Sequence, residues 1–320
     1  MNILFVCSGN SKVFTISPFI KSQGDSLIKK GIVVDYYLIK GKGLRGYITN
    51  ILPLRKKIKH NKYDIIHAHY SFAAALTLLT FTNIPIVASY MGSDVYGSFN
   101  SKGKVKLSSY WSIILSLAIQ PLLSYIICKS PNIRRYVFNK KTSLIPNGVD
   151  TSIFRDIELK KNKADISNRN KTILFLGDKK SVRKNYKLLV DAVKLINDWD
   201  CEIIAPYPVR HSELSKFYSE ADVLALPSIE EGSPNVIKEA MACNCPIVST
   251  DVGDVKWLLG DLEGHYLSSF DAVDFSKKIK QAFIFGKRTC GRKRIYELGL
   301  DSENIADRII TIYNMVISSS

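Results

Sequence analysis

Short apolar runs alternate with longer mixed segments along the first half of the chain. Ile3–Val6, Ile32–Ile39, Asp64–His69, Pro85–Tyr90, Tyr125–Ser130 and Ser143–Gly148 read as six strands. Helical patterns lie between them at Phe19–Lys30, along a basic stretch at Gly46–His60, and through Ala73–Leu79. Strand, helix, strand at this spacing predicts βα units on a parallel sheet. The polar run Glu158–Lys171 breaks the pattern and predicts a linker at 158–171 between a domain at 1–157 and one at 172–301. The alternation then restarts. Strands are expected at Thr172–Gly177, Cys201–Pro206, Asp222–Ser228 and Pro246–Asp251, with helices at Tyr186–Ile196, Ser212–Ala221, Asn235–Cys243 and Val255–Gly260. From Ala272 to about Val316 the chain reads as helix, broken near Gly286–Gly291 and Gly299. The fold class is α/β, two doubly wound Rossmann-like domains. Ligands of such sheets bind beyond the carboxyl ends of the strands, which points to a cleft between two facing domains.

The most apolar stretch, Trp111–Cys128, is slightly short for a membrane span and contains Ser112, Ser116, Gln120, Pro121 and Ser124. It reads as a buried helix ending near Pro121, followed by a buried strand at Tyr125–Cys128.

With 46% apolar and 23% charged residues, a 320-residue chain is not disordered, collagen-like or a small disulfide scaffold. The six cysteines show no CxxC spacing and no histidine partners, so neither a zinc site nor a disulfide framework is expected. A reduced, cytoplasmic chain fits this usage. The start, MNILFVCSGN, has no basic segment ahead of its apolar run, unlike an export signal. Charge is one-sided: residues 1–160 hold 22 Lys/Arg against 7 Asp/Glu, and residues 161–320 hold 23 against 22. Such a field attracts a polyanion, an anionic membrane or an anionic substrate. The aromatic-rich basic motif of nucleic-acid binders is absent, so no nucleic-acid partner is expected.

The segment Ser228–Glu239 carries the clearest chemistry. It follows a predicted strand and opens a helix. Gly232 and Ser233 leave room for a ligand to approach the backbone, and Pro234 suits a first helical turn. The helix start aims the N–H groups of Asn235 and Val236 at an anion such as phosphate. Glu231 lies in the loop and Glu239 on the second turn, both able to accept from sugar or ribose hydroxyls. Two acids at a helix start are also what the macrodipole alone favours. His67 and His69 alternate on a strand end, where a structural role is favoured over a metal pair that lacks a third ligand. His69 could line a cleft. Asp94, after Gly-Ser at a strand-to-helix turn, is a cap or an acceptor-side carboxylate.

Taken in order, LIPNGVDTSIF (Leu144–Phe154), RKN (Arg183–Asn185), ADVLALPS (Ala221–Ser228) and EGSPNVIKEAMACNCPIVSTDVG (Glu231–Gly253) resemble glycosyltransferase family 4. These are retaining nucleotide-sugar transferases of GT-B fold. DIIHAHY (Asp64–Tyr70) and GSDV (Gly92–Val95) look like the family's acceptor-side domain. The resemblance implies a first domain that receives the acceptor and a second that binds the donor. It also implies a final helix, 302–320, that crosses back to the first domain. By the same resemblance Glu239 holds the nucleotide ribose, Glu231 faces the donor sugar and Lys184 contacts the diphosphate. Gly232, Ser233, Asn235 and Val236 meet the donor with backbone amides, and Gly9 lies in the loop lining both substrates. Three departures stand out. Gly177-Asp178 replaces a common Gly-Arg, leaving Lys179, Lys180 or Arg183 as the second cation. Tyr90-Met91-Gly92 stands where the family often has histidine. The stretch between Gly177 and Ala221 is short.

A retaining transfer builds negative charge on the leaving diphosphate, which Lys184 and the Ser233–Val236 helix start would stabilise. With Glu231 and Lys184 as the catalytic pair and no Asp-x-Asp loop, the expected reaction uses no metal and no cofactor beyond the nucleoside-diphosphate sugar. The expected acceptor is a glycan or lipid-linked hydroxyl in cell-surface polysaccharide synthesis. The basic clusters Arg55–Lys59, Lys102/Lys104/Lys106 and Arg134-Arg135 suggest peripheral attachment to the inner face of the plasma membrane. Competing readings are a nucleotide-sugar 2-epimerase of similar fold and an inactive nucleotide-sugar-binding subunit.

Overall fold

The computed structural model describes residues 1–11, 14–41, 43–98, 105–157 and 170–319. It divides into two compact units, Met1–Gly148 with Ser302–Ser320, and Val149–Asp301.

In the first unit, strands β1 (Asn2–Ser8), β2 (Val33–Ile39), β3 (Ile65–His69), β4 (Ile86–Tyr90), β5 (Tyr125–Cys128) and β6 (Thr142–Leu144) form one sheet in the order β2-β1-β3-β4-β5-β6. Every pair is parallel. β3, β4 and β5 are buried along their whole length, so the polar His67, His69 and Ser89 lie inside with their apolar neighbours. The strand order reverses between β1 and β3, so their carboxyl ends bound the crevice of this unit. The last helix, Ser302–Ser318, packs beside the helix Pro18–Lys29. Gly148 permits the close approach of that helix, since a Cβ there would come within 2.9 Å of Ser302 Cα.

Two sequence expectations change here. The stretch expected as one helix over 46–60 is two helices, Gly43–Ile48 and Ile51–His60. Between them the Asn50 side chain donates to the Lys40 carbonyl at 2.8 Å and to the Gly46 carbonyl, and accepts from Tyr37 Oη at 2.9 Å. These bonds compete with helix continuation. The helix expected to be buried after Trp111 is Tyr110–Ala118, and it is buried on one face only, with Leu115 against the core. Ser112 and Ser116 face inward, while Tyr110, Trp111 and Ile114 face solvent. The two serines donate to the carbonyls of Ser109 (2.6 Å) and Ile113 (2.8 Å), so neither hydroxyl is buried without a partner.

In the second unit, β7 (Lys171–Leu174), β8 (Cys201–Ile204), β9 (Val223–Leu226), β10 (Ile247–Thr250) and β11 (His265–Ser268) form a parallel sheet in the order β11-β10-β9-β7-β8. This is the doubly wound 2-1-3-4-5 order, with its reversal between β7 and β9. β11 was not among the expected strands. The segment Val149–Ile157 belongs to this unit: Arg292 donates to the carbonyls of Thr151 and Phe154, both at 2.8 Å. Of the expected linker, residues 158–169 lie outside the described residues. Among the described residues no helix is long and apolar enough to cross a membrane.

Candidate functional site

The reversal point of the second sheet brings together the loops after β7 and β9. After β7 the chain passes Gly177 and turns through Asp178–Ser181, where Ser181 N donates to the Asp178 carbonyl at 3.0 Å. A single 3₁₀ turn, Val182–Lys184, then leads into the helix Tyr186–Val193. A Cβ on Gly177 would lie 3.0 Å from Lys184 Cγ, close enough that the lysine stem, packed along the strand end, would have to give way slightly. After β9, Ile229 N donates to the Arg183 carbonyl at 2.9 Å, which ties the two loops together.

Their side chains meet on one carboxylate. Lys184 Nζ lies 2.7 Å from Glu231 Oε1, Arg183 Nη1 pairs with Glu231 Oε2, and Ser228 Oγ donates to Oε1 at 3.0 Å. Burial pushes the Glu231 carboxyl up, but Lys184 and Arg183 outweigh it and hold the group below its ordinary range. It is therefore ionised at neutral pH. The neighbouring Glu230 shows the opposite balance. Burial raises it to about 7, Glu231 adds to the rise, and Arg183 opposes it. Arg183 is thus the second cation that the structure brings to Glu231, whereas Lys179 sits over the Tyr186 ring, 5.3 Å from its centre.

The helix Asn235–Ala242 follows, with Pro234 as its capping residue rather than its first helical one. Gly232 and Ser233 form the turn ahead of it, half-buried, with Asn235 and Val236 on the first turn. The loop after β10 packs on this turn: a Cβ on Gly253, at φ +63°, would fall 2.2 Å from the Gly232 carbonyl oxygen. Inside the helix start, Lys238 is only 1% exposed and donates to Ser233 Oγ at 3.1 Å. Burial lowers its ammonium to about 8, while Asp254 and Glu239 pull it back up.

Glu239 engages a separate set of partners. Tyr218 Oη donates to its Oε2 at 2.8 Å, and His211 Nε2 lies 3.2 Å from its Oε1. Phe154 stacks edge-on against both rings. Sequence reasoning missed His211 and Tyr218. The available signal was their place in the loop and helix after β8, whose carboxyl end adjoins the same crevice.

The candidates in the first unit are placed differently. Gly9 directly follows β1, its amide donating to the Ile39 carbonyl at 2.8 Å. His69 does not line an open surface: it is 2% exposed, stacked on His67 with ring centres 4.4 Å apart. His67 in turn lies 2.6 Å from Tyr313 Oη and 2.8 Å from Ser89 Oγ. Burial holds both imidazoles well below their ordinary range. Asp94 is fully buried and accepts from the amides of Gly92 (2.8 Å), Met91 (3.1 Å) and Ser71 (3.1 Å), which is the capping alternative. Among the described residues no three His, Cys, Asp or Glu side chains gather as a metal site.

Residues 12–153 match the model of Glycosyltransferase Family 4, and residues 202–283 match that of Glycosyl transferases group 1. The first unit thus resembles the family 4 model and the second the group 1 model. The chain is 27% identical over 225 residues to the Bacillus subtilis protein named for teichuronic acid biosynthesis, TuaC, covering 62% of this chain and 55% of that one. It is 22% identical over 308 residues to the Escherichia coli UDP-Gal:alpha-D-GlcNAc-diphosphoundecaprenol alpha-1,3-galactosyltransferase, covering 84% and 76%. It thus spans little more than half of the first relative and about three quarters of the second. Among solved structures, the sucrose-phosphate synthase of Thermosynechococcus elongatus superposes over the full length of both chains at TM-score 0.81 and 18% identity. Anabaena HepE in complex with UDP superposes over 98% of this chain and 100% of that one, at TM-score 0.70 and 14% identity. These likenesses establish a GT-B fold for the chain.

Proposed function

We propose that this transferase moves a sugar, with retention at the anomeric carbon and without a metal ion, from a nucleoside-diphosphate sugar to a hydroxyl of a glycan or lipid-linked acceptor. The pathway we assign is cell-surface polysaccharide synthesis, at the inner face of the plasma membrane. The observation that carries the reading is the meeting of Lys184, Arg183 and Glu231 at the reversal of the second sheet. Two cations held beside a helix start form a preorganised anion site where a leaving diphosphate gains charge. Glu231, kept ionised between them, orients both cations and accepts from donor hydroxyls. Glu239, backed by Tyr218 and His211, is the ribose acceptor in this scheme. Support for the donor class comes from the named donor of the Escherichia coli relative and the UDP held by Anabaena HepE. The undecaprenol diphosphate in the former's name supports a lipid-linked acceptor.

A thermal-shift screen of UDP-, GDP- and ADP-sugars tests the donor class. A matched donor at a hundred times its Kd adds about 2.7 kcal/mol of stability. No shift with any of them overturns the reading. With the matched donor, turnover that persists through exhaustive chelation supports metal independence, and turnover restored only by a divalent ion refutes it.

A further inference from the structure

We infer that the outward face of the helix Tyr110–Ala118, with the turn Gln120–Leu122 that follows it, is a docking surface for an anionic lipid bilayer. The face is built inside out. Its small serines, Ser112 and Ser116, turn inward, where the helix packs against Ser71–Leu78 and Tyr90 Oη donates to the Ser116 carbonyl at 2.8 Å. Leu115 packs on the core beside them, while Tyr110, Trp111 and Ile114 turn outward. Leu107, Trp111 and Ile114 follow one another at helical spacing, Leu122 continues the stripe beyond the helix end, and each is more than half exposed. Phe138, also more than half exposed, joins them: its amide donates to Gln120 Oε1 at 2.9 Å, which seats it against the same turn. Burying Trp111 and Ile114 was open to this sequence by rotating the helix, and the fold does not do so. A contiguous exposed apolar stripe of this kind marks an interaction surface.

Charge identifies the partner. From Leu107 to Cys128 the chain carries no charged residue, and from Asp94 to Asp150 it carries no acidic residue between eight Lys and Arg. Among these, Lys106 precedes the stripe, and Arg134, Arg135, Lys140 and Lys141 flank Phe138, all exposed. An apolar and aromatic centre flanked along the chain by basic residues and no acidic ones matches acyl chains beneath anionic headgroups. It does not match a second copy of the chain, because two such faces paired about a twofold axis would set like charges against each other. The basic helix Ile51–His60 is a weaker candidate, since Lys57 is paired with Asp35 at 2.7 Å.

The test is flotation of the full chain with vesicles of phosphatidylcholine and phosphatidylglycerol in equal parts, beside vesicles of phosphatidylcholine alone. It involves no sugar donor, so its outcome is independent of the activity proposed above. The protein is expected to float with the anionic vesicles, less so as salt is raised, and its tryptophan emission shifts to the blue, a shift that the variant lacking Trp111 loses. Trp111→Ser with Ile114→Ser lowers the partition coefficient about tenfold or more. Lys140→Glu with Lys141→Glu lowers it roughly fivefold or more for each charge removed. All four positions are exposed, so an unchanged thermal melt is expected and shows that each variant folds. The inference is overturned if both variants float as the parent chain does. It is also overturned if sedimentation velocity shows self-association that Trp111→Ser with Ile114→Ser abolishes while vesicle binding stays unchanged.

Discussion

At the carboxyl ends of its central strands the first unit encloses its polar side chains, and at the matching place the second unit leaves them charged. His67, His69 and Asp94 lie buried at the ends of β3 and β4, the imidazoles held neutral by burial and the carboxyl satisfied by three backbone amides. Lys184, Arg183 and Glu231 lie at the ends of β7 and β9, part-exposed, with opposite charges in hydrogen-bond contact. The topology is alike, a parallel sheet that reverses its winding. The difference is in what each polar group bonds. A carboxylate that caps backbone amides is committed to the fold. A carboxylate that holds two cations keeps those cations in place and charged, ready for a ligand that carries more negative charge than it does.

The largest expected effect comes from breaking the second arrangement. Lys184→Ala removes the more enclosed cation and is expected to lower kcat roughly a hundredfold, as loss of one charge-stabilising donor does elsewhere. Steady-state transfer assays with the matched donor measure it. The contrasting change is Asp94→Asn, which loses stability and leaves the kcat of the folded enzyme unchanged. An equal loss of kcat in both variants would erase the distinction between the two sites. Next in size is Glu239→Ala, expected to weaken nucleotide binding about tenfold or more, since it removes a charged acceptor from Tyr218 and His211. Titration calorimetry with the matched nucleotide checks this, and Tyr218→Phe should fall between the variant and the parent chain.

Legibility in the sequence followed local chemistry. The turn at Gly232–Ser233, the helix after it and the two glutamates were readable because strand, small residues and helix start adjoin in sequence. β11 was not, because His265–Ser268 is four residues long, mostly half-buried, and lacks an apolar run. The partners of Glu239 were not, because His211 and Tyr218 reach it only through the winding of the sheet. Nothing in the sequence sets Lys238 apart from other helix lysines, although the fold buries it against Ser233. The helix after Trp111 was misread as buried because hydrophobicity alone does not say which face a helix turns inward. Its serines decide that, by fitting where the helix Ser71–Leu78 approaches closely.

Acid should separate the two units. In the first, His67 and His69 are held well below the ordinary imidazole range, so below pH ~6.5 the unfolded chain takes up two protons that the folded unit does not. Asp94, raised to about 6 by burial against the pull of its backbone amides, opposes with one proton bound in the folded state. In the second unit His265, lowered to about 4 by burial, and Glu230, raised to about 7, act in opposite directions. Between roughly pH 6 and 5 the first unit therefore loses about 1.4 kcal/mol per pH unit, and the second stays nearly level. Hydrogen exchange in β3 and β4, corrected for intrinsic rates, should quicken about tenfold per pH unit relative to β9 and β10. Equal acceleration in both sheets would contradict the assignment of the buried histidines.

The smallest effect tests how the two cations share their work. Arg183 reaches Glu231 with a side chain 48% exposed, whereas that of Lys184 is 14% exposed. Solvent and salt screen the outer charge more than the inner one. Arg183→Ala is therefore expected to raise the donor KM about threefold at low salt, and less as salt is added, with kcat little changed. The salt dependence is the sharper readout, because a group that only propped Glu231 in position would show the same loss at every ionic strength. A salt-independent fall in kcat comparable with that of Lys184→Ala would mean that both cations act through Glu231 as one unit, and burial would no longer distinguish them.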